Sequence, residues 1–238
     1  MRQSDKVIVT FADEAGNYRK AMDRMEQSLV LTGWDGDFLP FTSYEEIGSP
    51  KHKGSADAVP YAFKSHSIRT AMDMGYKKIL WMDSVLYATK TVQPLFDHID
   101  KHGYLFFDNP PFTIAEYTSD ACLRYWHMHR EEASTHRMIM ACCMAFDVDN
   151  PQTHRFLTLY INAAKDGVSY HGDWFNSKGQ VSSDPNCKGH RHDQSVASIL
   201  LAREGMTITD AQATYFAYTS HKGHIPIAES VGLWSEGL

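Results

Sequence analysis

Residues 77–84 read KKILWMDS, and the fold turns on this stretch. Two lysines open it, Ile79, Leu80, Trp81 and Met82 make an unbroken apolar run, and Asp83 and Ser84 close it. Short continuous apolar runs bounded by polar residues are strands covered on both faces, as in parallel sheets. A carboxylate directly after such a strand stands at its carboxyl end, where open α/β sheets bind their ligands.

The flanking segments support a parallel sheet. Residues 62–74 have a helical pattern that stops at Gly75, and a short helix over 94–101 leads into a strand over 104–107. Upstream, KVIVTF at 6–11 is another buried strand. After it, Asn17 caps a helix whose apolar face runs through Ala21, Met22, Met25, Leu29 and Val30 and ends at Gly33. A strand over 38–41 and a polar loop over 43–57, punctuated by Gly48, Pro50 and Gly54, fill the space before residue 62. Strands separated by helix-sized segments indicate βαβ units. The second half predicts a helix over 119–132, a strand over 138–146, a helix over 151–165 opened by Pro151, a helix over 193–203 and a final strand over 214–219. Between the last two helices, 167–189 is rich in Gly, Ser, Asp and Asn, and a loop of that length is functional or disordered.

The 238 residues suit one domain over 1–238, with 43% hydrophobic and 22% charged content, as in soluble globular proteins. A formal charge of -6 argues against a broadly basic nucleic-acid surface. The N-terminal sequence lacks a signal-peptide pattern, and no apolar stretch reaches the roughly 18 residues of a membrane helix. Four cysteines, two of them adjacent at Cys142 and Cys143 in an apolar run, do not resemble a disulfide framework. The expectation is a soluble, cytoplasmic protein without membrane insertion.

CKGHRHDQSVASILL at 187–201 is the second informative stretch. It places His190, His192, Asp193 and Gln194 at a helix N-terminus, where the dipole and free N–H groups favour anions and hydroxyls. Asp193 is a candidate general base for an acceptor hydroxyl, or an N-cap worth about 1 kcal/mol. Cys187, His190 and His192 also have a C-x-x-H-x-H spacing open to zinc, which would suit a zinc-dependent hydrolase. In the long loop, Asp173 and Trp174 are candidates for contact with a sugar acceptor, whereas Trp81 and Trp126 read as core.

The span YAFKSHSIRTAMDMGYKKILWMDSVLYATKTVQPLFDHIDKHGYLFF at 61–107 resembles the GT-A-type nucleotide-diphospho-sugar transferases. These show an aromatic-x-x-Lys helix, a strand of the form gy..iLWlDaD and a helix around pl..l. The opening VIVTFADEAGNYRKAMDRMEQSL and the HRHDQS of 190–195 are similar to the same fold. The resemblance implies a GT-A-like α/β fold with a mixed, largely parallel sheet flanked by helices. It divides the chain into a nucleotide-sugar-binding half (1–110) and an acceptor-binding half (111–238). It also implies transfer of a hexose from a nucleoside diphosphate sugar, with UDP as the expected nucleotide, to an acceptor hydroxyl.

The resemblance assigns roles residue by residue. Thr10, Phe11 and Ala12 would cradle the nucleoside, and Tyr18 or Arg19 would stack on it or clamp it. Lys64 would face the diphosphate or orient Asp83. His190, His192, Gln194 and Asp193 would surround the transferred sugar or acceptor. Family members hold Mn²⁺ or Mg²⁺ with Asp-x-Asp after the central strand, but this chain has Asp83-Ser84-Val85, without the second carboxylate. A C-terminal His-Lys-Gly, here His221, Lys222 and Gly223, would complete a metal site with Asp83 and bring Lys222 to the diphosphate. The acceptor would be a glycan, a small molecule or, as in virus-type enzymes, a hydroxylated base in DNA. The missing carboxylate also leaves open a sugar-nucleotide binder that does not catalyse.

Overall fold

The computed structural model describes residues 4–13, 17–209, 216–218 and 232–235. Its centre is a five-stranded sheet of β1 (Lys6–Phe11), β2 (Asp37–Phe41), β3 (Lys78–Met82), β5 (Tyr104–Thr113) and β6 (Arg137–Asp147), in the order β2-β1-β3-β6-β5. β1 runs parallel to β2 and β3, while β6 is antiparallel to both β3 and β5. One strand is therefore reversed in an otherwise parallel sheet, and the expected mixed, largely parallel α/β architecture is present.

The unbroken apolar run of β3 follows from its central place, because each face meets a different core. Ile79 and Trp81 enter a core shared with α2 (Ala62–Asp73), α6 (Pro151–Asp166) and α7 (His192–Arg203). Leu80 and Met82 point the other way, into a core with Met25 and Leu29 of α1 (Asn17–Leu31) and Phe96 and Ile99 of α3 (Gln93–His102). All four side chains are fully buried. Local signals end the helices as the sequence requires. After α1, Gly33 adopts φ +80°, which lets the N–H of Trp34 reach the carbonyl of Leu29 at 2.9 Å. Asn150 caps α6 by accepting from the N–H groups of Gln152 and Thr153, and Pro151 follows it.

Three features depart from the expectations. The helix predicted over 119–132 is two short ones, α4 (Asp120–Tyr125) and α5 (Arg130–Thr135), broken where His127 takes φ +50°. The strand predicted over 104–107 continues through Pro110 and Pro111 to Thr113, with register shifts along its pairing to β6. A second sheet joins β4 (Leu86–Ala88), β7 (Phe216–Tyr218) and β8 (Leu233–Ser235) in the order β4-β8-β7. Of these, only β7 falls inside a predicted strand. The long segment 167–189 contains one short 3-10 turn and is otherwise irregular. No described helix is long and apolar enough to cross a membrane.

Candidate functional site

Asp83 follows β3, and its backbone N–H donates to the carbonyl of Cys142 on β6 at 2.8 Å. Side chains alternate along a strand, so Asp83 faces the same side as Trp81, toward α2. The Trp81 indole Nε1–H donates to Asp83 Oδ1 at 2.7 Å. One buried tryptophan thus packs the core and aims the carboxylate.

Lys64, in the first turn of α2, completes the arrangement. Its ammonium lies 3.1 Å from Asp83 Oδ1 and 2.8 Å from Asp193 Oδ2, and it donates to the carbonyl of Ala141 at 2.7 Å. It also stands 5.5 Å from the centre of the Trp81 ring. The hydrogen bond to Ala141 and the two ion pairs surround the ammonium with three oxygens. Burial alone would lower the lysine pKa, but the carboxylates of Asp193 and Asp83 outweigh it and raise the pKa above the ordinary value. Lys64 is therefore a buried clasp between two carboxylates, not a solvated helix lysine. Its charge is paired with both carboxylates, one of them that of Asp83.

The two carboxylates differ. The Asp83 side chain is 35% exposed, and its Oδ2 has no partner among the described residues, so one acceptor oxygen stays open. The Asp193 side chain is 6% exposed. Burial raises its pKa, and the charge of Lys64 pulls against that rise. The Lys64–Asp193 contact is ionic at 2.8 Å, but its angle leaves Oδ2 without a well-directed hydrogen bond. Asp193 is not the N-cap of α7. That position belongs to Arg191, and Asp193 sits inside the first turn.

The two histidines before it are committed to the backbone. His190 accepts from the N–H of Ser119 at Nδ1 and donates from Nε2 to the carbonyl of Ser169. Burial, with a smaller push from His192, lowers its pKa to about 3. His192, at φ +44°, donates from Nδ1 to the carbonyl of Tyr170, and burial lowers its pKa to about 4. The Cys187 thiol points at the carbonyls of Thr118 and Gly189. A zinc site on Cys187, His190 and His192 is thereby overturned, because both nitrogens of His190 are already bonded.

The remaining predicted residues scatter around this clasp. Thr10 is fully buried with its hydroxyl unpartnered, and the Phe11 ring packs between Tyr44 and Phe63. The N–H of Ala12 donates to the carbonyl of Phe41. Tyr18 is exposed on α1, Arg19 pairs with Asp23, and Ser84 is buried. Gln194 is half-buried in the first turn of α7, with its N–H on the carbonyl of Arg191. Asp173 is exposed, and its carbonyl accepts from the N–H of His190. Trp174 stands near the rings of His192 and Tyr61. His221, Lys222 and Gly223 lie outside the described residues.

Tyr61, at the N-cap of α2 with φ +60°, was not singled out by sequence reasoning, although it opens the aromatic-x-x-Lys pattern. Its hydroxyl is pushed up to about 12 by burial and by the charge of Asp193, so it stays a neutral donor beside the carboxylates. His52, from the loop after β2, accepts the backbone N–H of Tyr61 at Nδ1. Only the tertiary fold reveals that contact.

The described residues do not fit a protein-held divalent ion. Asp83 offers one open oxygen, Val85 stands where the second carboxylate would be, Asp193 is taken by Lys64, and no three ligating side chains converge among the described residues. A separate cleft of about 570 Å³ lies by Glu116, Arg130 and Asp184 and includes no member of the clasp.

No family model and no curated protein matches this sequence. Solved structures do match the fold. Mouse xyloside xylosyltransferase 1, in its apo form, superposes over 97% of both chains with a TM-score of 0.54 at 9% identity. The apo bifunctional glycosyltransferase WbbM superposes over 90% of this chain with a TM-score of 0.51 at 11% identity. This chain spans 39% of the WbbM chain's length. The fold is that of the GT-A glycosyltransferases.

Proposed function

We propose that the chain is a glycosyltransferase that moves a hexose from a nucleoside diphosphate donor to an acceptor hydroxyl. The carrying observation is the clasp, which fixes two carboxylates around one buried ammonium at the carboxyl end of β3. Ligands of open α/β sheets bind at such strand ends. Groups held in place before substrate arrives need no reorganisation during reaction.

In the transfer, the acceptor oxygen bonds to the anomeric carbon, the bond from that carbon to the diphosphate breaks with its electron pair leaving on the diphosphate oxygen, and the hydroxyl proton passes to solvent, directly or through the departing diphosphate. Asp83 Oδ2 accepts a hydrogen bond from a donor hydroxyl, while Trp81 and Lys64 hold the other oxygen. Asp193 serves as a fixed negative charge beside the sugar, where positive charge builds as the leaving group departs. The ion pair with Lys64, which holds Asp193 ionised against the effect of burial, favours this role over that of proton acceptor. The nucleoside would lie along the backbone of residues 10–12 with Tyr18 nearby, and Lys222 and His221 would meet the diphosphate.

The test is donor hydrolysis and transfer across a panel of UDP-, GDP- and ADP-linked sugars, with and without Mn²⁺. The expected result is turnover of at least one donor, abolished in Asp83→Asn. Absence of both binding and turnover for every donor would overturn the proposal.

A further inference from the structure

We infer that Trp174 and Phe175, with Tyr61 and His192, form the acceptor subsite and that the acceptor is a pyranoside, not a nucleic acid. This rests on the glycosyltransferase proposal and adds the chemistry of the second substrate. The basis is a band of aromatic rings that begins at the clasp. Tyr61 stacks on His192 with centroids 5.4 Å apart, and Trp174 lies 5.8 Å from His192 and 6.1 Å from Tyr61. Tyr61 is also close enough to Asp193 and Asp83 for their charges to act on its hydroxyl. Away from the clasp the surface opens to solvent, with Trp174 41% and Phe175 64% exposed, their rings 3.9 Å and 6.0 Å from the same Arg191 guanidinium.

Two adjacent exposed aromatics are costly to leave in water, and here the backbone that carries them is tied to its neighbours. The carbonyl of Trp174 accepts from the Arg191 guanidinium at 2.5 Å, and the same guanidinium lies 3.9 Å from the centre of the Trp174 ring. The chain on either side is pinned by N–H of His190 to the carbonyl of Asp173 and by N–H of Asn176 to the carbonyl of Lys188. Gly189 permits this approach, since a Cβ there would fall 2.0 Å from the carbonyl oxygen of Trp174. The surface therefore exists before any ligand arrives, which lowers the ordering cost of binding.

The polar groups among the rings suit a sugar. With Nδ1–H given to Tyr170, His192 keeps Nε2 as an acceptor, the Tyr61 hydroxyl is a neutral donor, and the Asp173 carboxylate is exposed beside Trp174. A pyranoside offers an apolar C–H face for the rings and hydroxyls for these groups. A phosphodiester chain would need free cations. Lys64 is spent on two carboxylates, Arg191 is held on Trp174 and Tyr117, and the whole chain carries a formal charge of -6.

The test uses the full chain and three probes: methyl pyranosides, a hydroxymethylcytosine oligonucleotide and UDP. Binding is read by saturation-transfer NMR and by titration calorimetry. At least one methyl pyranoside should bind through its C–H protons and lose at least tenfold in affinity in Trp174→Ala and again in Phe175→Ala. UDP should bind both variants as it binds the unaltered chain. The inference is overturned if only the oligonucleotide binds, if no pyranoside binds while UDP does, or if pyranoside affinity is the same in both variants. Failure of UDP to bind the unaltered chain would count against the donor site itself, so the two failures are distinguishable. Melting curves of both variants confirm that they fold.

Discussion

Asp83 and Asp193, far apart in the chain, share the ammonium group of Lys64, at 3.1 Å and 2.8 Å respectively. The Asp193 half of this arrangement is almost dry, whereas Asp83 reaches solvent and is screened, so the energetic weight falls on Asp193. Removing one partner of a buried pair strands the other charge, at a cost of about 3–5 kcal/mol. Lys64→Met should lower unfolding free energy by about that amount in urea denaturation. Adding Asp193→Leu to it should recover most of the loss, because no buried charge then remains unpaired.

Asp83→Asn separates charge from shape. The amide oxygen still accepts from Trp81 and Lys64, so the melting temperature should move little. Donor turnover should fall at least ~100-fold, the scale on which preorganised electrostatic groups act. Trp81→Phe keeps the ring packing but removes the N–H donor to Asp83. It should lower kcat by roughly tenfold through misplacement of the carboxylate, with a smaller effect on KM.

Acid stability should report on the histidines of the 190–192 turn. Burial lowers His190 to about 3 and His192 to about 4, below an ordinary value of 6.5. Between these limits the unfolded chain binds the protons and the folded one does not, so stability rises with pH there. Stability should be full above about pH 6.5 and fall as the solution is acidified toward 4, with each histidine adding about 1.4 kcal/mol per pH unit to the slope. Chemical denaturation from pH 4 to 8 measures this, and His192→Asn should flatten the slope.

The long loop should depend on one side chain. Asn176 accepts from the N–H groups of Val181 and Ser182 and donates to the carbonyls of Ser182 and Cys187. Asn176→Ala removes all four bonds and should cost about 2–4 kcal/mol. Limited proteolysis should then cut between residues 177 and 186 faster than in the unaltered chain.

Much of the fold was legible because its signals are local. KILWM reads as a buried strand from five residues, and Gly33, Gly75 and Pro151 mark helix ends by their own backbone limits. The second sheet was not legible as a sheet. β4 is three residues long, and it exists through pairing with a strand near the far end of the chain. His127 at φ +50° breaks a helix where no glycine or proline gives warning. Within the site, Asp83 was legible from its place after β3. For Lys64 the resemblance offered the diphosphate or Asp83; its contact with Asp83 is present, but its burial against Asp193 was not legible, since an amphipathic pattern cannot distinguish a solvated lysine from one paired with distant carboxylates. The zinc expectation failed for the same reason: spacing records which ligands are adjacent, not that the fold has already given the His190 nitrogens to Ser119 and Ser169.

The most direct measurement is a crystal structure of the full chain with UDP and Mn²⁺. The predicted result places the diphosphate outside the carboxyl end of β3, beside the open oxygen of Asp83, with Lys64 still bridging Asp83 and Asp193. UDP found instead in the cleft by Glu116 and Arg130, or nowhere on the chain at saturating concentration, would contradict the account.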